Sequence, residues 1–260
     1  MRRTLILVAA VCVAITACSS SHHDAASTAT SSTSTSSTST APSETSTPVT
    51  PSTSPTTKLA PTGCSSPKVT VPSGATVGTI PDVDGDGRDD RDWVRLTGAS
   101  AEFGIATAAG GGGSASAEFA SGAPRSMFVT DPAAAGRVYV VAGDGRVDDL
   151  YVFAGCHLDP VVDRKGKPYT FDLGFVGNGT GVGCASVDGK PSLLGLNALS
   201  TEGSKTPWTR TVIAVQGNVA HNGVEQSGTF TEPQDHDAIG LLHTVSCGDR
   251  TISDDGVSVG

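Results

Sequence analysis

The feature that most constrains this chain is a group of acidic residues and glycines within nine consecutive positions, residues 82–90. They read Asp82-Val83-Asp84-Gly85-Asp86-Gly87-Arg88-Asp89-Asp90. Carboxylates at loop positions 1, 3, 5 and 9 can converge on one cation, and the glycine at position 6 allows the bend. Without a cation these carboxylates would repel one another. The segment therefore predicts a calcium loop, and the alternative is an acidic turn that binds no ion.

The expected ligands of Ca²⁺ are oxygen atoms of this loop. They are the side chains of Asp82, Asp84, Asp86 and Asp90 and the main-chain carbonyl of Arg88. An EF-hand loop would carry a glutamate at position 12, where this chain has Trp93. The pattern instead resembles the Asp-x-Asp-x-Asp-Gly-x-x-Asp loop of the integrin α-chain repeats, known as FG-GAP or VCBS repeats. That resemblance implies a loop between two strands of a β-propeller blade, with a mainly structural calcium ion.

The sequence around this loop recurs in two weaker copies. The strand expected after the first loop, Trp93-Val94-Arg95-Leu96-Thr97, is aromatic and β-branched. The copies are Gly143-Asp144-Gly145-Arg146 and Val187-Asp188-Gly189-Lys190. Their first two ligand positions hold Val140 and Ala142 in one copy and Cys184 and Ser186 in the other. We expect both copies to keep a turn between strands and to have lost the ion.

Residues 63–260 are expected to form one all-β domain. Short apolar runs with β-branched and aromatic residues, such as those at 137–141, 150–153 and 211–215, are bounded by Gly, Asp and Asn. Residues 106–122 favour neither helix nor strand. Three or at most four repeat units favour a small or partial β-propeller-like assembly of hairpins. Another twisted-sheet assembly of the same hairpins is the alternative.

The N-terminal residues predict export and a lipid anchor. Residues 1–17 have a basic start and a short apolar run, as in a secretory signal. Ile15-Thr16-Ala17-Cys18 resembles the lipobox of bacterial, actinobacterial-type lipoproteins, which implies diacylglycerol on the Cys18 thiol. The resemblance places the protein on the outer face of the cytoplasmic membrane, and the alternative is an ordinary signal with a chance cysteine. Residues 18–62, mostly Ser, Thr, Ala and Pro after Cys18, predict a disordered tether.

Four cysteines remain in the expected domain, and an even number outside the cell favours disulfides. Of the three pairings that four cysteines allow, we predict Cys156–Cys184 and Cys64–Cys247. The first would join neighbouring repeats, and the second would tie the start of the domain to its end. A Cys₄ zinc site is the alternative, although the chain has no Cys-x-x-Cys spacing.

The charge and the motifs together favour a binding or structural role. The net charge is −9, or −11 without Arg2 and Arg3, which disfavours nucleic acid as a partner. The chain lacks the full Ser-x-x-Lys set of the penicillin-binding type, and Asp235-His236-Asp237 with His243 matches no zincin spacing. We therefore expect a lipid-anchored, calcium-stabilised envelope module with a cell-wall or protein ligand, and no catalytic residues. The alternative is an envelope hydrolase with an unrecognised carboxylate pair.

Overall fold

The computed structural model describes residues 63–119, 123–174, 180–198 and 203–260. The predicted signal (residues 1–17), Cys18 and the rest of the tether up to residue 62 lie outside the described residues. The described part consists mainly of antiparallel strands with three short helices. The predicted all-β class is therefore confirmed.

The first sheet is a four-stranded antiparallel meander in chain order. Its strands are β1 (Thr76–Ile80), β2 (Asp90–Thr97), β3 (Ser100–Ala106) and β4 (Gly112–Glu118). The predicted strand after the acidic loop lies within β2, with Trp93 opposite Val77 on one side and Gly104 on the other. The stretch that favoured neither element contributes the end of β3 and all of β4. Gly113 is required there, because a Cβ would collide with the backbone at Leu158 of the second sheet.

The second sheet contains the next strands and the last one. They are β5 (Arg125–Val129), β6 (Tyr139–Gly143), β7 (Val147–Ala154), β8 (His157–Pro160), β9 (Thr170–Asp172) and β16 (Val257–Val259). The sheet order is β16-β5-β6-β7-β8, and β9 pairs with β7. A helical turn, α1 (Pro132–Ala135), joins β5 to β6 and is capped by the Asp131 side chain, which accepts a hydrogen bond from Ala133 N at 2.8 Å.

The third sheet is a second four-stranded antiparallel meander. Its strands are β10 (Thr180–Val187), β11 (Lys190–Ala198), β12 (Lys205–Gln216) and β13 (Val219–Thr231). The chain then continues through α2 (His236–Leu241), β14 (Ser246–Cys247), β15 (Arg250–Thr251) and α3 (Ile252–Asp255) to β16. The predicted runs at 137–141, 150–153 and 211–215 lie largely in β6, β7 and β12.

Two hydrophobic cores flank the second sheet. Alternate residues of its strands point to opposite faces. Met127, Val140 and Tyr151 pack in the first core against the first sheet, with residues such as Phe103. Their neighbours Phe128, Val141, Leu150 and Val152 pack in the second core against the third sheet, with residues such as Leu193 and Ile213. Every residue of β6 is therefore buried, as expected of a strand covered on both faces.

The disulfides correct the predicted pairing. All four cysteines are bridged, but as Cys64–Cys156 and Cys184–Cys247. The predictions Cys156–Cys184 and Cys64–Cys247 were wrong because each combined cysteines from different cores. Cys64 and Cys156 belong to the first core, and Cys184 and Cys247 belong to the second. The second sheet lies between the two pairs, so each disulfide stabilises one core.

Candidate metal centre

The acidic loop, which we call the first loop (residues 82–90), joins the adjacent strands β1 and β2. Strand β1 ends at Ile80 and β2 begins at Asp90. Gly85 and Gly87 have φ angles of 79° and 85°, a left-handed conformation that glycine adopts without steric cost. The loop therefore folds back within a few residues, and its alternate side chains turn inwards.

Three of the predicted ligands converge. One carboxylate oxygen from each of Asp82, Asp84 and Asp86 lies within 4.8 Å of the others, and all three residues are half-buried. The Asp82 carboxylate accepts hydrogen bonds from Gly85 N at 2.6 Å and from Gly87 N at 2.7 Å. These bonds hold the loop closed around the cluster.

The segment at residues 63–64 lies against the cluster. Cys64 N donates to Asp84 Oδ2 at 2.6 Å, and a Cβ at Gly63 would lie 2.7 Å from Asp86 Cβ. Because Cys64 is bridged to Cys156, the disulfide fixes one hydrogen-bond donor of the loop to the second sheet. The loop is thus connected to the first core through its Asp84 carboxylate.

The cluster is strongly anionic. Partial burial raises the pKa of Asp82, but the backbone N–H groups of Gly87, Gly85, Asp84 and Asp86 outweigh that effect, and the net pKa is lowered. Asp86 accepts hydrogen bonds from Arg88 Nε at 3.0 Å and from Arg88 Nη2. The guanidinium of Arg88 is therefore the cation next to the cluster in this structure.

Asp90 lies beside the cluster and is not one of its three converging residues. Only 1 % of Asp90 is exposed, and its two oxygens accept from Val83 N and Ala108 N, each at 2.8 Å. The pKa of Asp90 is raised overall. Burial raises it most and the charges of Asp84 and Asp82 add to that effect, while the two backbone donors lower it in part. Asp90 ties the loop to the turn after β3, and its role as a ligand stays a prediction, as does that of the Arg88 carbonyl.

The donor set suits a hard cation. The converging atoms are carboxylate oxygens, and the three side chains lie close enough to contact one ion. Calcium binds oxygen ligands at about 2.3–2.6 Å, whereas zinc sites usually contain His or Cys. The cluster of Asp82, Asp84 and Asp86 could therefore hold a metal ion.

The second copy of the motif forms a short turn, which we call the second turn (residues 144–146). Asp144 Oδ1 accepts from Arg146 N at 3.0 Å and from Val147 N at 3.1 Å. The positions of the first two ligands, Val140 and Ala142, lie in β6 and are buried in the first core. Acidic residues at these two positions would be buried in apolar surroundings. This part of the second copy is therefore a buried strand and not a loop that could hold an ion.

The third copy is shorter still. Asp188 and Gly189 have φ angles of 52° and 75° and form a two-residue hairpin between β10 and β11. The first loop and this hairpin each join the first two strands of a meander. The second turn joins β6 to β7, one strand later in the β5–β8 series. All three copies thus connect neighbouring strands, but not at equivalent places in their sheets.

The histidine cluster considered in the sequence does not form a compact site. His236 begins α2, with 77 % of its side chain exposed, and its Nδ1 lies 3.3 Å from Glu232 Oε1. Within the described residues, the first-loop trio is the group of His, Cys, Asp and Glu side chains close enough to share a metal ion. The interpretation of residues 235–237 as surface is consistent with this exposure.

Sequence reasoning missed one polar cleft. It lies between β9 and the face of the third sheet, has a volume of about 350 Å³, and has the acidic residues Asp172 and Glu225 in its lining. These residues are far apart in the chain and belong to no motif. The one available signal was Gly195, a glycine in the interior of a strand.

Comparisons with known proteins leave the family open. No protein-family model, no curated protein and no solved structure matches the chain. None of the helices in the described residues is long and apolar enough to cross a membrane.

Proposed function

We propose that this protein is a lipid-anchored module of the bacterial cell envelope whose β domain binds a structural calcium ion and presents a binding or structural surface. The observation that carries the calcium part is the convergence of Asp82, Asp84 and Asp86 within 4.8 Å. The anchor rests on the lipobox-like sequence that ends at Cys18.

Calcium stabilises the folded domain because the unfolded chain cannot hold these carboxylates together. A ligand that binds only the native state adds RT ln(1 + [L]/Kd) to the free energy of unfolding. Extracellular modules bind calcium with Kd values of about 10⁻⁴ to 10⁻³ M. Millimolar calcium then adds roughly 0.4 to 1.5 kcal/mol, which is a few degrees in melting temperature.

Calcium-dependent melting of the full chain tests the metal site. Asp86→Ala removes a ligand and should abolish the shift in melting temperature between EDTA and millimolar calcium. The matched control is Asp144→Ala in the second turn, which should leave the shift intact. Equal shifts in wild type and Asp86→Ala would refute the site. Loss of the shift in Asp144→Ala would show that the ion binds at the second copy and not at the first loop.

We assign the three meanders to a partial, propeller-like assembly of the FG-GAP type. Strands β1–β4, β5–β8 and β10–β13 are each antiparallel and consecutive, and the sheets pack face to face through the two cores. These features support the assignment. The later position of the second turn and the addition of β16 beside β5 are departures from a regular blade.

Membrane fractionation tests the anchor. Wild-type protein should fractionate with the membrane and carry an acylated Cys18, because acyl chains supply the apolar surface that holds a protein to a bilayer. Cys18→Ser should release the protein or leave the signal uncleaved. Soluble wild-type protein without acylation, measured by mass spectrometry, would end the lipoprotein proposal.

A second candidate function is glycan hydrolysis in the cleft beside β9. The observation that favours it is that Asp172 and Glu225 border the same concave site. Glycosidases use two carboxylates on either side of the scissile bond. Turnover of envelope glycans that is lost in both Asp172→Asn and Glu225→Gln would support hydrolysis, and turnover that survives either change would exclude this pair.

A further inference from the structure

The cleft lies at the open end of the second core, away from the first loop. Strands β12 and β13 extend beyond the core, so their inner face continues as an accessible surface, and residues 169–173 form the opposite wall. Ile213 and Phe171, both buried, form its apolar base. A volume of about 350 Å³ is at the lower end of the range for small-molecule sites, about 300–1,000 Å³.

The chemistry of the lining favours an uncharged, hydroxyl-rich ligand. Half-buried Asn197, Thr209 and Thr211 contribute amide and hydroxyl groups to the lining above the apolar base, and the exposed acidic residues Asp172 and Glu225 belong to its rim. Its described lining contains no Lys, Arg or His. Two carboxylates without a cation would repel phosphate or uronic-acid groups, whereas sugar hydroxyls can donate to carboxylates and to amide oxygens.

One wall of the cleft is held in place by its own contacts. Tyr169 Oη donates to Asn222 Oδ1 at 2.6 Å, which joins the β9 wall to β13. The Tyr169 and Phe171 rings pack edge to face with centroids 5.7 Å apart. An aromatic wall of this kind offers an apolar surface to the C–H face of a sugar ring. These contacts fix the position of the β9 wall relative to β13.

Gly195 provides the strongest observation, because the fold itself does not require a glycine there. A Cβ at Gly195 would lie 3.6 Å from Ile213 Cδ1 and 4.0 Å from a Phe171 ring carbon, both ordinary contacts. Every other glycine in the described strands would bring a Cβ to 3.2 Å or closer to a neighbouring atom. Glycine in a strand interior also weakens the strand. Its position on the lining indicates that the missing side chain keeps the cleft open.

We propose that this cleft is a binding site for neutral glycans, with Gly195 providing the space and Asn197, Thr209 and Thr211 the polar contacts. The proposal rests on the proposed function as an envelope binding module and assigns the ligand class of that module. The rim carboxylates select against anionic glycans.

Calorimetric titration of the full chain in detergent tests the site. The probes are neutral oligomers of N-acetylglucosamine, glucose, mannose and arabinose, with a galacturonic-acid oligomer as the anionic counterpart. We expect binding of at least one neutral oligomer and none of the anionic one. Gly195→Leu should abolish binding by filling the cleft, while Asn197→Ala and Thr209→Val should each weaken it roughly three- to tenfold by removing a hydrogen bond.

The matched control is Ser116→Leu, which fills the polar groove on the outer face of the first sheet. It should leave binding unchanged. If Gly195→Leu lowers the melting temperature strongly, Asn197→Ala and Thr209→Val decide the question. Binding that none of the cleft variants affects would overturn the cleft while leaving an envelope binding module in place. The absence of binding to every neutral oligomer, or tighter binding of the anionic one, would overturn the ligand class.

Discussion

The first loop and the copy that contains the second turn share the sequence Gly-Asp-Gly-Arg, but the aspartates at their ninth positions, Asp90 and Asp148, have very different hydrogen bonds. Asp90 has backbone N–H partners for both oxygens, from Val83 inside the loop and from Ala108 in the neighbouring turn. Asp148 is fully buried and accepts from Gly145 N at 3.1 Å through Oδ1, while its Oδ2 has no hydrogen-bond partner among the residues that the structure describes.

The difference follows from the positions before the shared sequence. Acidic residues at 82 and 84 keep the first loop outside the strands, so that Val83 N is available to Asp90. Val140 and Ala142 instead extend β6 into the first core, which leaves the turn too short to offer a second donor. Within the described residues, the apolar side chains at these two positions thus account for the missing acidic cluster at the second turn and for a buried carboxylate with one unsatisfied oxygen.

Among the tests of this comparison, removing a disulfide should change the free energy of unfolding most. The two disulfides join cysteines that are 92 and 63 positions apart in the chain, so removing either one should lower the free energy of unfolding by up to about 4.5 kcal/mol. Urea denaturation of the double variants Cys64→Ser/Cys156→Ser and Cys184→Ser/Cys247→Ser measures both losses. Only the first should also weaken the response to calcium, because Cys64 N donates to Asp84.

The calcium responses of the two double variants distinguish the regions. An equal weakening in both would mean that the disulfide at Cys64 does not position the loop. Peptide mapping of the oxidised wild type should recover the two pairs of the structure. A Cys64–Cys247 peptide would contradict the assignment of one disulfide to each core.

The second largest effect is at Asp148. Burial raises its pKa to about 6, with smaller contributions from the charges of Asp144 and Asp149, and the Gly145 N–H lowers it in part. Because the folded pKa lies above the unfolded one, this group costs stability as pH rises from about 4 to about 6, reaching about 3 kcal/mol near pH 7. Asp148→Asn removes that charge and should stabilise the domain at pH 7.

Denaturation curves between pH 4 and pH 8 measure this prediction. Asp92 is also fully buried, and burial raises its pKa to about 6, an effect that the backbone N–H groups of Asp92 and Gly78 and the charge of Arg250 partly offset. The wild type should therefore lose stability over this range, and Asp148→Asn should lose about half as much. An unchanged pH slope, or destabilisation at pH 7, would show that Asp148 has a second partner in solution.

The corresponding substitution at Asp90 should lower the free energy of unfolding, which is the opposite of the effect expected at Asp148. Asp90→Asn replaces one acceptor by an NH₂ group that faces a backbone donor, which should cost about 1 kcal/mol in the presence of EDTA. Measured beside Asp148→Asn at pH 7, it tests whether hydrogen-bond satisfaction separates the two positions. Stabilisation by Asp90→Asn would mean that relief of burial outweighs the lost hydrogen bond.

Local features were predictable from the sequence because they depend on adjacent residues. The first loop, the strand that contains Trp93 and the turns at Asp144 and Asp188 follow from glycine positions and from β-branched runs. In the second sheet, the side to which each side chain points is harder to predict from the sequence. Both faces of β6 are apolar, so the run from Tyr139 does not show which residue belongs to which core.

Long-range features were not predictable from the sequence, because they depend on residues that are distant in the chain. The cysteine pairing depends on which side of the second sheet each cysteine reaches, and that is decided by sheet packing. The cleft combines residues from β9, β11, β12 and β13, none of which forms a motif. Within the metal centre, the sequence predicted the three converging residues but not the backbone partners of Asp90.

The smallest effect concerns the arginine that both copies share. In the first loop the Arg88 guanidinium pairs with Asp86, and 59 % of the Arg88 side chain is exposed. The positive charge of Arg88 repels a cation that binds Asp86, so the arginine competes electrostatically with calcium. Arg88→Ala keeps the backbone carbonyl and removes the competitor, and calorimetry should show calcium affinity rising about two- to fivefold, as expected from the loss of one exposed ion pair. Arg146→Ala in the second turn is the matched control and should leave the affinity unchanged. Weaker calcium binding in Arg88→Ala would mean that the guanidinium orders the Asp86 carboxylate for the ion, and the first loop would then depend on its arginine as well as on its aspartates.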